Sequence, residues 1–165
     1  MKSGFDGASA TPPATTSAVT PAVTVRVRTE RGASLPRYET DGSAGMDLRA
    51  RIDEPIVLAS MQRTLIPTGV FIELPPGYEA QVRSRSGLSV KSGIACVNGV
   101  GTVDSDYRGE LLVPVVNLGN EAYTINDGDR VAQMIVAKYE RVEWEEAASL
   151  GETERGSGGF GHTGV

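Results

Sequence analysis

Apolar and polar residues alternate along much of this chain, which is the pattern of short β-strands with one buried face. The first such run covers residues 23–28, where valines alternate with threonine and arginine and predict a half-buried strand. Similar runs predict strands at residues 46–52, 56–59, 64–74, 78–83, 111–117 and 131–139. Turn sequences rich in Asp, Asn, Gly and Pro separate the runs, and only residues 88–92 suit a helix. Many short strands at close spacing predict an all-β protein, a jelly-roll-type β-barrel.

Composition divides the chain into three parts. Residues 1–22 are rich in Ala, Thr, Ser and Pro, so they bury too little apolar surface to offset the entropy of ordering and are predicted to be disordered. Residues 23–154 are predicted to form the barrel domain, and the glycine-rich residues 155–165 a flexible tail that serves as a lid. The tail matches the dinucleotide motif G-x-G-x-x-G at 156–161, but only four residues follow, too few for the helix that this motif needs.

Charge and rare residues exclude several classes of function. The formal net charge is −5, whereas nucleic-acid binders carry a basic surface, so no nucleic-acid partner is expected. One cysteine and one histidine exclude an internal disulfide and a Cys/His zinc site. Cys96 lies in the apolar run 94–97, which favours a buried thiol over a nucleophile paired with His162. No apolar stretch reaches the ~20 residues of a membrane span and the N-terminus does not resemble a signal peptide, so no membrane partner and a cytoplasmic location are expected.

Three runs carry groups that suit phosphate chemistry. Residues 85–87 (Arg-Ser-Gly) place a guanidinium, a hydroxyl and a glycine N–H after a predicted strand, which suits an anion, although a solvated loop is the alternative. Asp104 lies where a strand ends in a turn and is suited to act as a general base or to hold a cation; an ordinary Asp-rich turn is the alternative. Gln133 offers an uncharged donor to a phosphate, and the nearby Asp129 and Arg130 are expected to form a local salt bridge.

Five runs, taken together, resemble the five ordered motifs of the trimeric dUTPase family. They are AGMDLRA at 44–50, RSGL at 85–88, the run 98–109, GDRVAQ at 128–133 and the tail at 155–164. Order and approximate spacing both match, from about residue 23 to the end of the chain. The resemblance implies a homotrimer of jelly-roll barrels in which each site is assembled from three subunits. It also implies an enzyme that hydrolyses dUTP to dUMP and pyrophosphate, limiting uracil in DNA and supplying dUMP for dTMP synthesis.

The resemblance implies that the hairpin from Asn98 to Tyr107 holds the uracil ring. Asn98 and backbone groups of Gly101, Thr102 and Val103 would imitate a base-pairing partner, so cytosine would present the wrong edge and a thymine methyl would collide with the hairpin. The Tyr107 ring would pack on the sugar and leave no room for a ribose 2′-hydroxyl.

The same resemblance assigns the phosphate chemistry. Asp104 matches the family's general base, which activates a water for in-line attack on the α-phosphorus. Ser86 and Gln133 match residues that grip the α- and β-phosphates, with Arg85 and Gly87 beside them.

The resemblance also implies how a metal ion is held and how the C-terminal tail takes part in the site. Mg²⁺ would be held mainly by phosphate oxygens and waters, with Asp47 acting through the water shell. The tail of a third subunit would close over the site, with Phe160 on the uracil face. Contacts to the β- and γ-phosphates would come from Arg155, Ser157, Gly158, Gly159 and Thr163. His162 stands where many family members have serine, which makes pH-dependent closure a hypothesis.

Two other functions are compatible with a related barrel. In dCTP deaminases the third motif resembles D-P-G-W/F-x-G, with a catalytic Glu five residues past its last glycine. Here residues 104–109 read DSDYRG and Pro114 stands at that place, so the deaminase acid/base is missing. A non-catalytic nucleotide-binding or signalling barrel is the second alternative, and the presence of Asp104, Gln133 and the whole tail disfavours it.

Overall fold

A computed structural model describes residues 22–159, and within this range the chain forms eleven strands and one short helix. The strands are β1 (Arg26–Thr29), β2 (Arg37–Tyr38), β3 (Met46–Arg49), β4 (Ile56–Leu58), β5 (Arg63–Glu73), β6 (Tyr78–Arg83), β7 (Ile94–Cys96), β8 (Val100–Val103), β9 (Glu110–Asn117), β10 (Tyr123–Ile125) and β11 (Arg130–Lys138). The helix α1 is Ser86–Ser92. The all-β prediction is confirmed, whereas the predictions for residues 1–21 and 160–165 lie outside the described residues.

Three antiparallel sheets contribute to one apolar core. The four-stranded sheet has the order β1-β5-β9-β7, the five-stranded sheet the order β2-β3-β11-β6-β8, and β10 pairs with β4. Neighbours that are distant in sequence, such as β3 and β11, show that the chain crosses repeatedly between sheets, as it does in a jelly roll. Leu48, Ile66, Ile94, Val113 and Ile125, each at most 1% exposed, form the centre of the core.

Six of the predicted strands are present in the structure close to their predicted bounds. The predictions for β3, β4, β5, β6, β9 and β11 are confirmed within one to three residues at each end, and α1 begins two residues before its predicted start. The four strands that the pattern missed, β2, β7, β8 and β10, have only two to four residues each. Such short segments hold too few side chains for alternation to stand out.

The prediction of a half-buried strand at residues 23–28 is correct only in part. Val23 and Val25 are half-buried, and Val25 packs against the core, but both precede the strand. The observed strand β1 begins at Arg26, and all four of its residues are exposed, including Val27 at 42%. The reason is position: β1 is the edge strand of its sheet and pairs with β5 alone. Among the described residues, no strand pairs with the outer edge of β1.

A bulge in β5 shapes the region next to the candidate site. The pairing of β5 with β9 shifts register between Pro67 and Phe71. Gly69, in this gap, has φ of 66°, and a Cβ there would lie 2.7 Å from the Cβ of Ala33, so both backbone and space require glycine. The Thr68 hydroxyl, fully buried, donates to the carbonyl of Leu111 at 2.7 Å and ties the bulge to β9.

Most of the chain between β6 and β7 forms the short helix α1. Helix α1 ends at Gly93, which has φ of 69° and donates its N–H to the carbonyl of Ser89 at 2.9 Å. This arrangement presents residues 84–87 at the end of β6.

Within the described part of the chain, no helix is long and apolar enough to cross a membrane.

Residues 139–153, which follow β11, contain neither strand nor helix. Apolar side chains on this segment point to solvent: Val142 is 66% exposed, Trp144 91% and Leu150 88%. The segment therefore leaves the barrel without adding to the core of its own chain.

Candidate active site

One row of paired residues crosses the five-stranded sheet near the end of β6. Gln133 on β11 pairs with Asp47 on β3 on one side and with Arg83 on β6 on the other. Because β6 ends at Arg83, residues 84–87 leave the sheet directly beside this row. The sheet thus brings together three of the runs that carry phosphate-binding groups in the sequence.

A polar cavity of about 320 Å³ opens at this end of the sheet. It is lined by Glu39, Ser43, Gly45, Asp47, Arg85, Ser86, Gly87, Arg130 and Gln133. All the residues predicted to grip the α- and β-phosphates, and the predicted metal-associated carboxylate, therefore line one cavity. Ser86 and Gly87 are exposed at its mouth.

Asp47 is held between two guanidinium groups. Its Oδ1 atom accepts a hydrogen bond from Nε of Arg85 at 3.0 Å, and Oδ2 accepts one from Nη1 of Arg130 at 3.1 Å. The Asp47 side chain is only 13% exposed. A charged hydrogen bond in this partly buried setting holds both guanidiniums firmly, since bulk water screens it less than it screens a surface pair.

The expected local salt bridge between Asp129 and Arg130 is wrong. Arg130 pairs with Asp47 and lies 3.9 Å from Glu39, both far away in sequence. The Asp129 carboxylate instead accepts the backbone N–H of Asn126 at 2.8 Å and closes its own turn. Asp129 precedes β11 and its carboxylate is engaged in this turn, whereas Arg130 is the first residue of the strand, so the two side chains do not pair.

Gly45 and Gln133 are fitted to each other. The Gln133 amide donates Nε2 to the carbonyl of Ser84 at 3.2 Å. A Cβ on Gly45 would lie 2.6 Å from Oε1 of Gln133, so a larger residue at 45 would displace this amide. Neither Gly45 nor Arg130 was predicted to have a role; their only signal was membership of the first and fourth motif runs.

A second cavity, of about 240 Å³, lies between the segment 98–107, which contains β8, and β9. The predicted hairpin does not form from neighbouring strands, because β8 pairs with β6 while β7 and β9 belong to the other sheet. Its polar rim contains the hairpin residues predicted to recognise the base and the predicted general base: Asn98, Gly101, Thr102, Val103, Asp104 and Tyr107. The remaining wall is mostly apolar and comes from Leu65, Val82, Glu110, Leu111, Leu112 and Pro114. This wall was not predicted, because its residues look like ordinary strand residues. A small apolar cavity with polar groups on one side is the usual form of a site for a planar ring.

The turn between β7 and β8 places the Asn98 amide at the cavity. Gly99 has φ of 71°, and its N–H donates to the carbonyl of Cys96 at 3.0 Å, which closes the predicted Asn-Gly turn. A Cβ on Gly101 would lie 3.1 Å from Nδ2 of Asn98, so the amide packs on this glycine. The turn therefore places an amide beside the backbone of β8.

Asp104 lies at the cavity rim with its carboxylate exposed. Its carbonyl oxygen accepts the N–H of Tyr107 at 3.2 Å, which fixes the turn. In the part of the chain that the structure describes, no donor is hydrogen-bonded to the Asp104 carboxylate. By contrast, the Glu110 carboxylate in the same cavity accepts bonds from Gly69 and Arg31. Of these two carboxylates, Asp104 is therefore the one without a hydrogen-bond donor among the described residues.

The two cavities have no lining residue in common. Val103, just before Asp104, pairs with Ala80, whereas the phosphate-type residues follow Arg83, three positions further along β6. Three residues of a strand span roughly 10 Å. One chain therefore holds the candidate general base apart from the candidate phosphate-binding groups.

The described part of the tail contacts neither cavity. Nε of Arg155 donates to the carbonyl of Gly158 at 2.8 Å, and the Gly158 N–H donates back to the carbonyl of Arg155 at 3.0 Å. Ser157 and Gly159 lie within or just after this turn. Phe160 and Thr163, the other predicted tail contacts, lie outside the described residues.

The properties of Cys96 and of the acidic residues limit which nucleophiles and metal ligands the described residues can provide. Cys96 is buried, as predicted, and burial raises the pKa of its thiol, so it is not a ready nucleophile. Among residues 22–159, no group of three or more His, Cys, Asp and Glu side chains is arranged to hold a metal ion. Any divalent cation here would need most of its ligands from a bound molecule.

Comparison with known proteins agrees with this geometry. A family model described as dUTPase matches residues 31–164. The deoxyuridine 5'-triphosphate nucleotidohydrolase of Finegoldia magna is 57% identical over 140 residues, which cover 85% of this chain and 98% of that protein. The dUTPase of Staphylococcus bacteriophage 80alpha, solved with dUPNHPP, is 25% identical and has a TM-score of 0.79, covering 87% of this chain and 100% of that one.

A further solved structure concerns the fold and a metal. A mutant dUTPase from phage phi11 of S. aureus, described for the coordination of a structural Mg(II) ion, is 24% identical with a TM-score of 0.71. The match covers 79% of this chain and 100% of that one. At this identity the likeness shows the fold alone. The family model and the Finegoldia relative show more: this chain belongs to the dUTPase family.

Proposed function

We propose that this enzyme cleaves dUTP to dUMP and pyrophosphate with Asp104 as the general base, which takes a proton from the water that attacks the α-phosphorus. Membership of the dUTPase family makes the chain a dUTP-hydrolysing enzyme. The observation that carries the mechanism is the exposed Asp104 carboxylate at the rim of the apolar cavity, without a hydrogen-bond donor among the described residues. Since a carboxylate is a weak base, most of the acceleration must come from positioning and from neutralising phosphate charge.

Base selection is proposed to occur on β8. This strand is at the edge of the five-stranded sheet and pairs with β6 alone. Within the segment Gly101–Val103, the N–H and C=O groups of alternate residues therefore point away from β6 and are not used by a neighbouring strand among the described residues. With the Asn98 amide beside them, they offer a fixed pattern of donors and acceptors to a pyrimidine edge. A cytosine would leave buried polar groups unpaired, which is costly. The Tyr107 ring is proposed to cover the sugar.

Phosphate binding is proposed for the polar cavity. The Arg85 guanidinium, the Ser86 hydroxyl and the Gln133 amide all line it, and the Gly87 backbone lies beside them without a side chain in the way. Arginine forks and uncharged donors together suit a chain of phosphates, because they bind its oxygens without requiring one fixed charge state.

The separation of the two cavities supports a homotrimer with shared sites. Asp104 and the phosphate-type residues line cavities that have no residue in common, so one chain alone does not complete the proposed site. Apolar side chains around the base cavity are exposed, namely Leu65, Val97, Val100 and Leu112. Burying these side chains against another copy is favourable, and the same contact would bring a second chain's phosphate cavity to Asp104.

Mg²⁺ is proposed as the cofactor, held mainly by the triphosphate. The residues present fit this arrangement, since the polar cavity offers one shielded carboxylate and not a set of three. Mg²⁺ commonly keeps several waters and binds through one or two carboxylates plus substrate phosphates. Asp47 is the residue that would hold its water shell. When bound, the ion would neutralise phosphate charge.

The tail is proposed to close over a site of another subunit. Its described residues Arg155, Ser157, Gly158 and Gly159 bond mainly within their own turn and line neither cavity of this chain. The proposed contacts of Phe160 with uracil and of Thr163 with phosphate complete the lid. Closure would exclude water, at an entropic cost that the phosphate contacts offset.

A nucleotide panel in water enriched in ¹⁸O tests the function. The purified protein with Mg²⁺ is expected to convert dUTP to dUMP and pyrophosphate and to act poorly on dCTP, dTTP and UTP. Attack on the α-phosphorus places the ¹⁸O in dUMP, whereas attack on the β-phosphorus places it in pyrophosphate. Label in pyrophosphate, or release of orthophosphate, would contradict the assigned point of attack.

A further inference from the structure

We infer that Gly109 and Glu110 position the Tyr107 ring and thereby set the selectivity for deoxyribose over ribose. The inference rests on the proposed function, in which Tyr107 covers the sugar. Neither Gly109 nor Glu110 carries a role in the reaction as described above. Both are positioning residues, since they would act on the substrate only through the tyrosine.

Gly109 provides the surface on which the tyrosine ring lies. A Cβ at this position would be 2.3 Å from Oη of Tyr107, 2.5 Å from Cζ and 3.0 Å from Cε2. The ring therefore occupies the space that any other residue at 109 would fill. The backbone of Gly109 is not in the left-handed region, so alanine would cause no backbone strain there. Its effect would fall on the Tyr107 ring.

Glu110 fixes the same, hydroxyl-bearing end of the ring by a hydrogen bond. The Tyr107 hydroxyl donates to the backbone carbonyl of Glu110 at 3.0 Å. Oε1 of the Glu110 carboxylate accepts the N–H of Gly69 at 2.6 Å and Nη2 of Arg31 at 2.7 Å. This side chain is 18% exposed, so the bonds are partly shielded from water. The residue that receives the tyrosine hydroxyl is thus itself anchored at two points.

The two residues that bond to the Glu110 carboxylate, Gly69 and Arg31, both have an unusual backbone conformation. Gly69 is in the β5 bulge, and Arg31 has φ of 51°, a region that residues with side chains seldom occupy. The turn that contains Arg31 is closed by a bond from the Ala33 N–H to the Glu30 carbonyl at 2.9 Å, and the Glu30 N–H donates to Gly69 at 2.8 Å. A sparsely populated conformation that neighbours hold in place is found most often near functional sites.

The fixed position of the Tyr107 ring limits the space that is available for the sugar. Tyr107 lines the base cavity and is 44% exposed, so the face away from Gly109 remains open to a ligand. A 2′-hydroxyl on the sugar would require the ring to retreat, but the space behind it is already occupied by the Gly109 backbone. The ratio of dUTP to UTP turnover should therefore depend on how firmly the ring is held.

The first test compares Gly109→Ala with a matched glycine variant. Gly42→Ala is the control, because Gly42 has no neighbour within 4 Å and no left-handed backbone. The measurement is kcat/KM for dUTP and for UTP. The added methyl would displace the Tyr107 ring from its place and from its bond to the Glu110 carbonyl. Gly109→Ala is therefore expected to lower the dUTP/UTP ratio by about tenfold, the size of a modest steric discrimination, while Gly42→Ala leaves it unchanged. An equal loss for both nucleotides would overturn the inference.

The second test removes the charge from the anchor. Glu110→Gln keeps the backbone carbonyl and an acceptor oxygen but weakens the bonds to Arg31 and Gly69. Its control is Glu73→Gln on β5, since the Glu73 carboxylate makes exposed ion pairs with Arg26 and Arg108. Glu110→Gln is expected to lower the dUTP/UTP ratio by about threefold, and an unchanged ratio would count against the anchor.

A spectroscopic test reads the ring without turnover. The chain has five tyrosines, and after 3-fluorotyrosine labelling the ¹⁹F resonance of Tyr107 is identified by its absence in Tyr107→Phe. In Gly109→Ala and Glu110→Gln this resonance is expected to move toward the value of unfolded tyrosine, and in both controls to stay. An unmoved resonance overturns the inference. A parent protein that does not cleave dUTP contradicts the proposed function instead, and the resonance still decides the positioning.

Discussion

The Nε atom of Arg85 lies 3.0 Å from Oδ1 of Asp47, across 38 residues of sequence. The two side chains are 26% and 13% exposed, so the pair is formed in a partly shielded cavity. It holds the guanidinium at the cavity wall before any ligand arrives. Less side-chain freedom is then lost on phosphate binding, which is the advantage of a preorganised site.

Asp47→Asn is expected to reduce kcat/KM for dUTP by roughly tenfold and to raise the Mg²⁺ concentration needed for half-maximal rate. The reason is that asparagine neither balances the two guanidiniums nor attracts the hydrated ion. Titrating Mg²⁺ at fixed dUTP checks this, with the exposed Asp53→Asn as control. An unchanged Mg²⁺ requirement would remove Asp47 from the metal's surroundings.

Asp104→Asn is expected to lower kcat by about 10³-fold while the Kd of a non-hydrolysable dUTP analogue changes little, because only proton transfer is lost. Single-turnover kinetics and calorimetric titration measure the two effects separately. Asp106→Asn in the same exposed turn is the matched control and should keep the parent rate. Parent-like turnover of Asp104→Asn would exclude this carboxylate as the base.

Deleting residues 155–165 is expected to lower kcat/KM by at least about tenfold, since the lid contacts to phosphate would be lost. The barrel should retain its assembly, because within the described residues the tail forms only its own turn. Light scattering gives the assembly state of the shortened protein, and steady-state kinetics give the rate. A full rate in the shortened protein would refute the lid.

Asp127 predicts a pH-dependent contribution to stability. Its carboxylate accepts a hydrogen bond from Nη1 of Arg51 at 2.6 Å, which together with the Ile52 N–H lowers the pKa of Asp127. A lowered folded-state pKa means that the stabilisation is present above the unfolded value of about 4 and is lost as pH falls through the folded value.

Asp127→Asn should therefore melt at a lower temperature than the parent protein at pH 7, and the two melting temperatures should converge well below about pH 4. Thermal unfolding followed by circular dichroism at several pH values gives the comparison, with Asp53→Asn as control. A gap in melting temperature that persists at low pH would show that the ion pair is not its source.

Prediction from sequence succeeded where the signal was local. Strands β5, β6 and β11 hold six or more residues each, enough for apolar and polar positions to show which face is buried. Strand β2, with two residues, carries no such signal. The burial predicted for β1 was wrong because alternation distinguishes two faces of a strand but does not show that either is covered, and all four residues of β1 are exposed.

Contacts in the candidate site could likewise be predicted where the residues are close in sequence, and not where they are distant. Asn98 and Tyr107 were predicted to lie together because one hairpin contains both, and both line the same cavity. The bond between Arg130 and Asp47 joins strands 83 residues apart, so only the strand order of the sheet could reveal it. The contact between Tyr107 and Gly109 is local, but the choice of which glycine supports the ring depends on a side-chain angle that sequence does not specify.

Trp144, on the exposed segment after β11, is the only tryptophan of the chain. With 91% of its surface in water, its indole should emit at the long wavelength of a solvated ring. Whatever covers this segment must shift that emission to shorter wavelength, and nothing else in the protein contributes tryptophan fluorescence. The unlabelled protein therefore contains its own optical probe for the stretch of chain that joins the barrel to the tail.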